Sequence, residues 1–97
     1  MFARVASFEG GDNARLRQWS EEAMSSGEMN VPEGMQRVLM LDDDGSNKRL
    51  FISFFDSREA IEAAEAGFEA MGDTIPEDVR GRRTSVSVYE VSIDQGV

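Results

Sequence analysis

Apolar residues along this chain change their spacing several times, and each change marks the edge of an element. From Phe2 to Phe8, FARVASF alternates as a strand does, with Phe2, Ala6 and Phe8 on one side and Ala3, Val5 and Ser7 on the other. The polar EGGDN breaks the run, and Asp12 or Asn13 can cap a helix start. Over 14–26 the spacing lengthens: Leu16, Trp19 and Ala23 face one way, Arg15, Arg17, Glu21 and Glu22 the other, and Gly27 is a natural stop. GEMNVPEG, punctuated by Pro32 and Gly34, reads as a loop. MQRVLML, from Met35 to Leu41, predicts a second strand, DDDGSNKR the turn of a hairpin, and Leu50 to Phe55 the returning third strand.

After Phe55 the pattern switches to that of a helix. Asp56 or Ser57 can accept a hydrogen bond from an orphan N–H, and Glu59 stands where a capping-box acid paired with Asp56 belongs. Ala60, Ile61, Ala64, Phe68 and Met71 form an apolar stripe that Gly72 ends, giving a helix of roughly 22 Å. DTIPEDVRGRR is a polar connection with one helical turn after Pro76, and TSVSVYEVSI is a fourth strand. The phase of that strand shifts between Val86/Val88 and Tyr89/Val91/Ile93, which predicts a bulge near Val88 and Tyr89. The order β-α-β-β-α-β predicts an α+β, ferredoxin-like domain with a four-stranded antiparallel sheet, spanning 1–97 as a single unit.

Two helices cover one face of such a sheet, yet both strand phases carry large apolar groups. One phase collects Phe2, Phe8, Leu39, Leu41, Leu50, Ile52 and Phe54; the other collects Val5, Val38, Met40, Phe51, Phe55, Tyr89, Val91 and Ile93. Burying a side chain of this size contributes roughly 1.5 to 3 kcal/mol. Leaving half a dozen in water forfeits on the order of 10 kcal/mol, as much as the net stability of a small domain. The expected remedy is a second copy packed sheet against sheet about a two-fold axis, a homodimer.

Charge and composition narrow the function. A net charge of -9 argues against nucleic acid and against anionic membrane surfaces. The opening MFARVASFEGG has no apolar core of the kind a secretory signal needs, and no apolar run reaches the roughly 20 residues of a membrane helix, so a cytoplasmic location is expected. The chain has no Cys and no His, which removes disulfides, thiol nucleophiles, imidazole bases, ordinary zinc sites and common haem ligands. Lys48, the lone lysine, sits in a polar turn that suits no Schiff-base role. The Asp42–Asp44 triplet fails as a calcium loop, because Asn47 falls where Gly belongs and Ser53 where a bidentate Glu belongs; it reads as a turn, and no metal is expected.

PEGMQRVLMLDDDGSNKRLFISFFDSREAIEAA and the closing SVSVYEV resemble the dimeric α/β-barrel superfamily, in particular its antibiotic-biosynthesis-monooxygenase-like group and bacterial relatives. The shared element is an apolar strand ending in an aromatic, followed by DSREAIEAA opening a helix. The resemblance implies a barrel of two subunits and a pocket between helices and sheet. It also implies one of several activities: cofactor-free oxygenation of polycyclic phenols, haem degradation, or small isomerase and decarboxylase reactions. The haem-degrading pattern wants an Asn in the first strand, a Trp where this chain has Ala64, and a His, and none of these is present. No cofactor is therefore expected.

The candidates for the pocket wall are Trp19, Phe55, Phe68, Tyr89 and Arg4, each with an ordinary structural role beside it. Trp19 lies on an apolar stripe where aromatics are commonly core, and Tyr89 is equally suited to an interface. Arg4 in a central strand needs a carboxylate from a neighbouring strand or subunit, or an anionic ligand; Arg37 can snorkel from an edge. Ser7, Ser53, Ser85 and Ser87 have no base to activate them. Met24, Met29, Met35, Met40 and Met71 offer an adaptable lining or plain gap filling. Three functions follow: a cofactor-independent, monooxygenase-like enzyme for a small apolar or aromatic substrate, a non-catalytic small-molecule-binding module, or a structural dimer with a filled pocket. Pocket volume discriminates, since a ligand site begins at about 300 Å³.

Overall fold

The computed structural model describes residues 1–26, 32–43 and 45–96, apart from the side chains of Met24 and Thr74. Its elements are β1 (Phe2–Glu9), α1 (Asn13–Ser26), β2 (Met35–Asp43), β3 (Lys48–Phe55), α2 (Arg58–Thr74), α3 (Glu77–Arg80) and β4 (Arg82–Glu90). The sheet is ordered β2-β3-β1-β4, and every pairing is antiparallel. This is the ferredoxin-like arrangement that the spacing of apolar residues predicts, with α3 as the turn after Pro76. Gly27, Met29 and Asp44 lie outside the described residues.

Local chemistry sets the helix ends. Asp12 Oδ1 accepts from Arg15 N at 3.1 Å, so Asp12 caps α1. Ser57, with extended φ and ψ, caps α2 through Oγ, which accepts from Ala60 N at 3.1 Å. With Ser57 as the cap, Glu59 falls in the first turn rather than at the capping-box position expected beside Asp56; there its charge complements the helix dipole. α2 also runs past Gly72 to Thr74. A helical glycine costs only ~1 kcal/mol against alanine, too little to end a helix that is packed on either side of it. The hairpin turn is built by Asp43, whose carboxylate accepts from Gly45 N at 3.1 Å and from Ser46 Oγ at 2.7 Å. The Ser46 hydroxyl chiefly holds the Asp43 carboxyl below its ordinary value of 3.8. That contribution is therefore present above the ordinary value and disappears as pH falls through the lowered one.

Register decides which residues reach the helices. Across the sheet, Val38, Ser53, Arg4 and Val88 stand in one row, Met40, Phe51, Ala6 and Val86 in the next, and Asp42, Arg49, Phe8 and Arg83 at one end. Phe51 and Phe55 pack edge-on against Phe68 of α2, so these rows are the helix-covered face. The opposite face carries the rows Leu39–Ile52–Val5–Ser87, Arg37–Phe54–Ala3–Tyr89 and Leu41–Leu50–Ser7–Ser85. Both faces are apolar, as expected, but the membership differs. Phe2 and Phe8 belong with Phe51 and Phe55, while Val5 and Tyr89 belong with Ile52 and Phe54. Alternation within a strand tells which residues share its face; only pairing tells how two strands are phased.

The bulge is also displaced from its expected place at Val88 and Tyr89. Ser7 pairs with Ser85 and Phe8 with Arg83, leaving Thr84 as the extra residue, with its hydroxyl donating to Ser7 O at 3.2 Å. Val91 and Ile93 lie beyond β4. Two core clusters hold the helices down: Phe55, Ile61, Ala64 and Phe68 under α2, and Leu16, Ile75 and Val79 between α1 and α3. Backbones meet closely where the β1–α1 loop crosses the end of α3. Gly81, at φ +77°, has Glu9 O only 2.5 Å from where a Cβ would stand, so no larger residue fits.

Candidate functional site

Between α1, α2 and the helix-covered face of the sheet lies a pocket of ≈ 90 Å³. Trp19, Met40, Phe51, Phe68 and Met71 give it aromatic and thioether walls, and Arg4, Arg49, Arg80 and Arg83 also line it, with no carboxylate among the lining residues. In a chain of net charge -9 this is a local reversal of sign. A larger recess of ≈ 450 Å³ opens at the hairpin end of the sheet. There Glu9, Asp42 and Asp43 balance Lys48 and Arg49, so it carries no focused charge, and the smaller pocket is the stronger candidate.

Arg4, the sequence candidate in β1, is 2% exposed. Its Nε donates to Glu65 Oε1 at 2.7 Å and its Nη2 to Oε2 at 3.3 Å, a two-pronged pair. The carboxylate comes from α2, not from a strand or a second subunit. The guanidinium also lies 4.2 Å from the centroid of the Phe68 ring, so one arginine joins the sheet to the helix by charge and by stacking.

Arg49 has a different task, which the sequence reading missed by assigning it to the hairpin turn. It is 3% exposed. Its Nε donates to Asn13 Oδ1 at 2.8 Å and its Nη2 to Gly10 O at 2.8 Å and again to Asn13, while Nη1 donates to Arg80 O. One side chain thus ties the β1–α1 loop, α1 and α3 to β3. Burial pushes the guanidinium below its ordinary pKa, and the Asp42 and Asp12 carboxylates oppose that. The signal for it was present: Arg49 shares the phase of Phe51, Ser53 and Phe55, so alternation carried two residues further would have placed it under the helices.

The structure brings Trp19, Phe68 and Arg4 together in this pocket. Trp19 simultaneously packs on the Leu16, Ile75 and Val79 cluster. Phe55 is fully buried beside Phe68, with ring centroids 6.1 Å apart, and has no surface in the pocket. Tyr89 stands on the opposite face of the sheet and is 57% exposed. Met40 and Met71 line the pocket, and Met35 packs on the α2 core.

Ser53 sits in the row of Arg4, fully buried, and its Oγ has no hydrogen-bond partner among the described residues. An unsatisfied buried hydroxyl costs about 1–3 kcal/mol. Ser53→Ala is accordingly expected to raise stability by about 1 kcal/mol in urea denaturation. A loss of stability would show that the hydroxyl has a partner in solution.

No family model matches the chain, and no curated protein is significantly similar to it in sequence. Solved structures are similar in fold. One is a MhuD variant with two manganese protoporphyrin IX molecules bound per active site, at TM-score 0.60 and 19% identity, covering 100% of both chains. A candidate antibiotic biosynthesis monooxygenase from Deinococcus radiodurans aligns at TM-score 0.64 and 16% identity, over 100% of this chain and 98% of its own. Rv0793 from Mycobacterium tuberculosis aligns at TM-score 0.58 and 12% identity, over 99% and 98%. The chain therefore has the ferredoxin-like fold of the antibiotic-biosynthesis-monooxygenase-like α/β-barrel proteins. Among the described residues no helix is long and apolar enough to cross a membrane.

Proposed function

We propose that this protein is a homodimeric, cofactor-independent, monooxygenase-like enzyme whose substrate is a small electron-rich aromatic molecule. The observation that carries the reading is the pocket lining: aromatic rings and thioethers beside four arginines, with no carboxylate. Such a wall suits a flat ring, and positive charge nearby favours the ring's deprotonated form. A substrate that is reactive as its own anion needs no imidazole or thiol from the protein, which fits a chain without His or Cys. For an anthrone-like ring the chemistry balances without an added reductant. A CH₂ becomes C=O, one oxygen atom enters the product, and the other leaves as water with both hydrogens. The similarity in fold to a candidate antibiotic biosynthesis monooxygenase supports this class.

The second copy follows from the other face of the sheet. Leu41, at 49% exposed, and Tyr89 rim an apolar surface that includes Val5, Leu39, Leu50, Ile52 and Phe54. Covering it with an identical surface about a two-fold axis buries all of these side chains twice.

One observation favours a different reading. At ≈ 90 Å³ the pocket is below both the ~300 Å³ where ligand sites begin and the ~150 Å³ of a cavity that takes benzene. A non-catalytic dimer whose pocket is filled by its own side chains has this property. Under the enzyme reading, Met40 and Met71 move to admit the ring, as flexible thioethers can. Sedimentation and oxygen uptake with anthrone and hydroquinone decide between them. We expect a species of twice 10.8 kDa that consumes oxygen with at least one of these compounds. A monomer at micromolar concentration contradicts the dimer. A dimer without oxygen uptake, and with no small molecule co-purifying in native mass spectrometry, supports the structural module.

A further inference from the structure

We propose that Arg80 is a preformed anion receptor in this pocket and that the ligand is a single-ring aromatic carboxylate; the proposal rests on the reading that the pocket admits an aromatic ring. The four lining arginines are not equivalent. Arg4 is matched by Glu65 at 2.7 Å and Arg83 by Glu69 at 3.5 Å. Arg49 is occupied by Asn13, Gly10 and Arg80 oxygens. The Arg80 side chain, by contrast, donates only to backbone carbonyls: Nε to Ile75 O at 3.2 Å and Nη1 to Gly81 O at 3.0 Å.

Those two carbonyls orient the guanidinium without neutralising it. Among the described residues no carboxylate lies within ion-pair distance of Arg80, and Nη2 has no acceptor. Arg80 also ends α3, where Val79 is 5% exposed and anchors the turn in the core. The side chain is thus held from both ends, so little rotamer freedom remains to be lost when a ligand arrives. A guanidinium with N–H groups in reserve and no counter-charge presents a fork that a carboxylate meets with two parallel hydrogen bonds. Trp19 and Phe68 supply flat apolar surface in the same pocket, and its size limits the ring system to one ring.

The global charge makes this arrangement selective. An anion approaching a chain of net charge -9 is repelled at long range, so binding has to come from short-range, desolvated contacts with the arginines. Affinity should consequently weaken little with added salt, unlike attraction to a basic surface.

The test uses 4-hydroxybenzoate and its neutral isostere 4-hydroxybenzamide, titrated into the full chain and followed by the indole N–H resonance of Trp19, the single tryptophan. The acid is expected to shift that resonance saturably and to bind about tenfold tighter than the amide, the size of one charge-assisted pair. Arg80→Gln should bring the acid down to the level of the amide, Arg80→Lys should keep part of the preference, and Arg83→Gln should keep nearly all of it. Equal binding of acid and amide to the wild-type chain would overturn the carboxylate receptor while leaving the aromatic pocket intact. A preference that survives Arg80→Gln would overturn the role of Arg80. If neither compound moves the Trp19 signal, the pocket reading and this proposal both fall.

Discussion

Phe55→Ala is expected to cost about 3–5 kcal/mol, the range for emptying a well-packed aromatic site. Phe55 has no exposed surface and closes β3 two residues before the Ser57 cap, so its ring forms the floor on which α2 begins. Ile61, Ala64 and Phe68 press on it from α2, and the Phe55 and Phe68 rings meet edge-on at 84°. Alanine leaves a void that these neighbours cannot close, because the strand and the helix cap hold their backbones apart. Against a net stability of about 5–15 kcal/mol, the variant should show a lowered urea midpoint with an unchanged slope. Phe55→Leu, which keeps most of the volume, should cost less than half as much. A shift below 1 kcal/mol for Phe55→Ala would mean that the α2 core is looser than its packing indicates. The pocket supplies a second readout, since Phe68 would lose the ring that supports it against Arg4.

The same residues show why the fold was more legible than the site. Element order comes from spacing, and spacing is local: Leu16 and Trp19, or Ile61, Ala64 and Phe68, declare their helices without reference to anything distant. The cap at Ser57 and the turn at Asp43 are likewise decided within four residues. Register is not local. Whether Val5 lies beside Phe51 or beside Ile52 depends on how β1 slides along β3, and a slip of one residue exchanges the faces. The Thr84 bulge is equally invisible in the sequence, because it marks where β4 accommodates β1 rather than a feature of β4 alone.

Charged residues that become buried were the hardest to place. Arg4 could be expected to need a carboxylate, but Glu65 looked like any solvated residue of α2 until packing brought it to 2.7 Å. Arg80 lay in a stretch, DTIPEDVRGRR, whose composition describes only a connection. Its position in the pocket results from the short α3 turn and from Gly81, the one residue type that tolerates both φ +77° and the approach of the Glu9 carbonyl. The site is therefore assembled by loops at the ends of strands, where tertiary contact overrides local preference.

Arg49 is the keystone of that assembly, and Arg49→Met is expected to destabilise the chain by on the order of 3 kcal/mol. Methionine keeps the apolar stem but leaves the carbonyls of Gly10 and Arg80 and the amide oxygen of Asn13 without their donor. Lysine should not restore them, because one ammonium cannot span three oxygens held by three different segments. The loss should also be regional. Hydrogen exchange is expected to accelerate in the β1–α1 loop and in 75–82 before it does in β2 and β3. Only the first two regions are pinned by Arg49, whereas the hairpin is held by its own ladder. Since Arg80 is aimed through that same region, discrimination between 4-hydroxybenzoate and 4-hydroxybenzamide should narrow in Arg49→Met even where the protein remains folded. Uniform acceleration across the whole sheet would instead make Arg49 an ordinary contributor to global stability, and would separate the receptor geometry of Arg80 from the network beneath it.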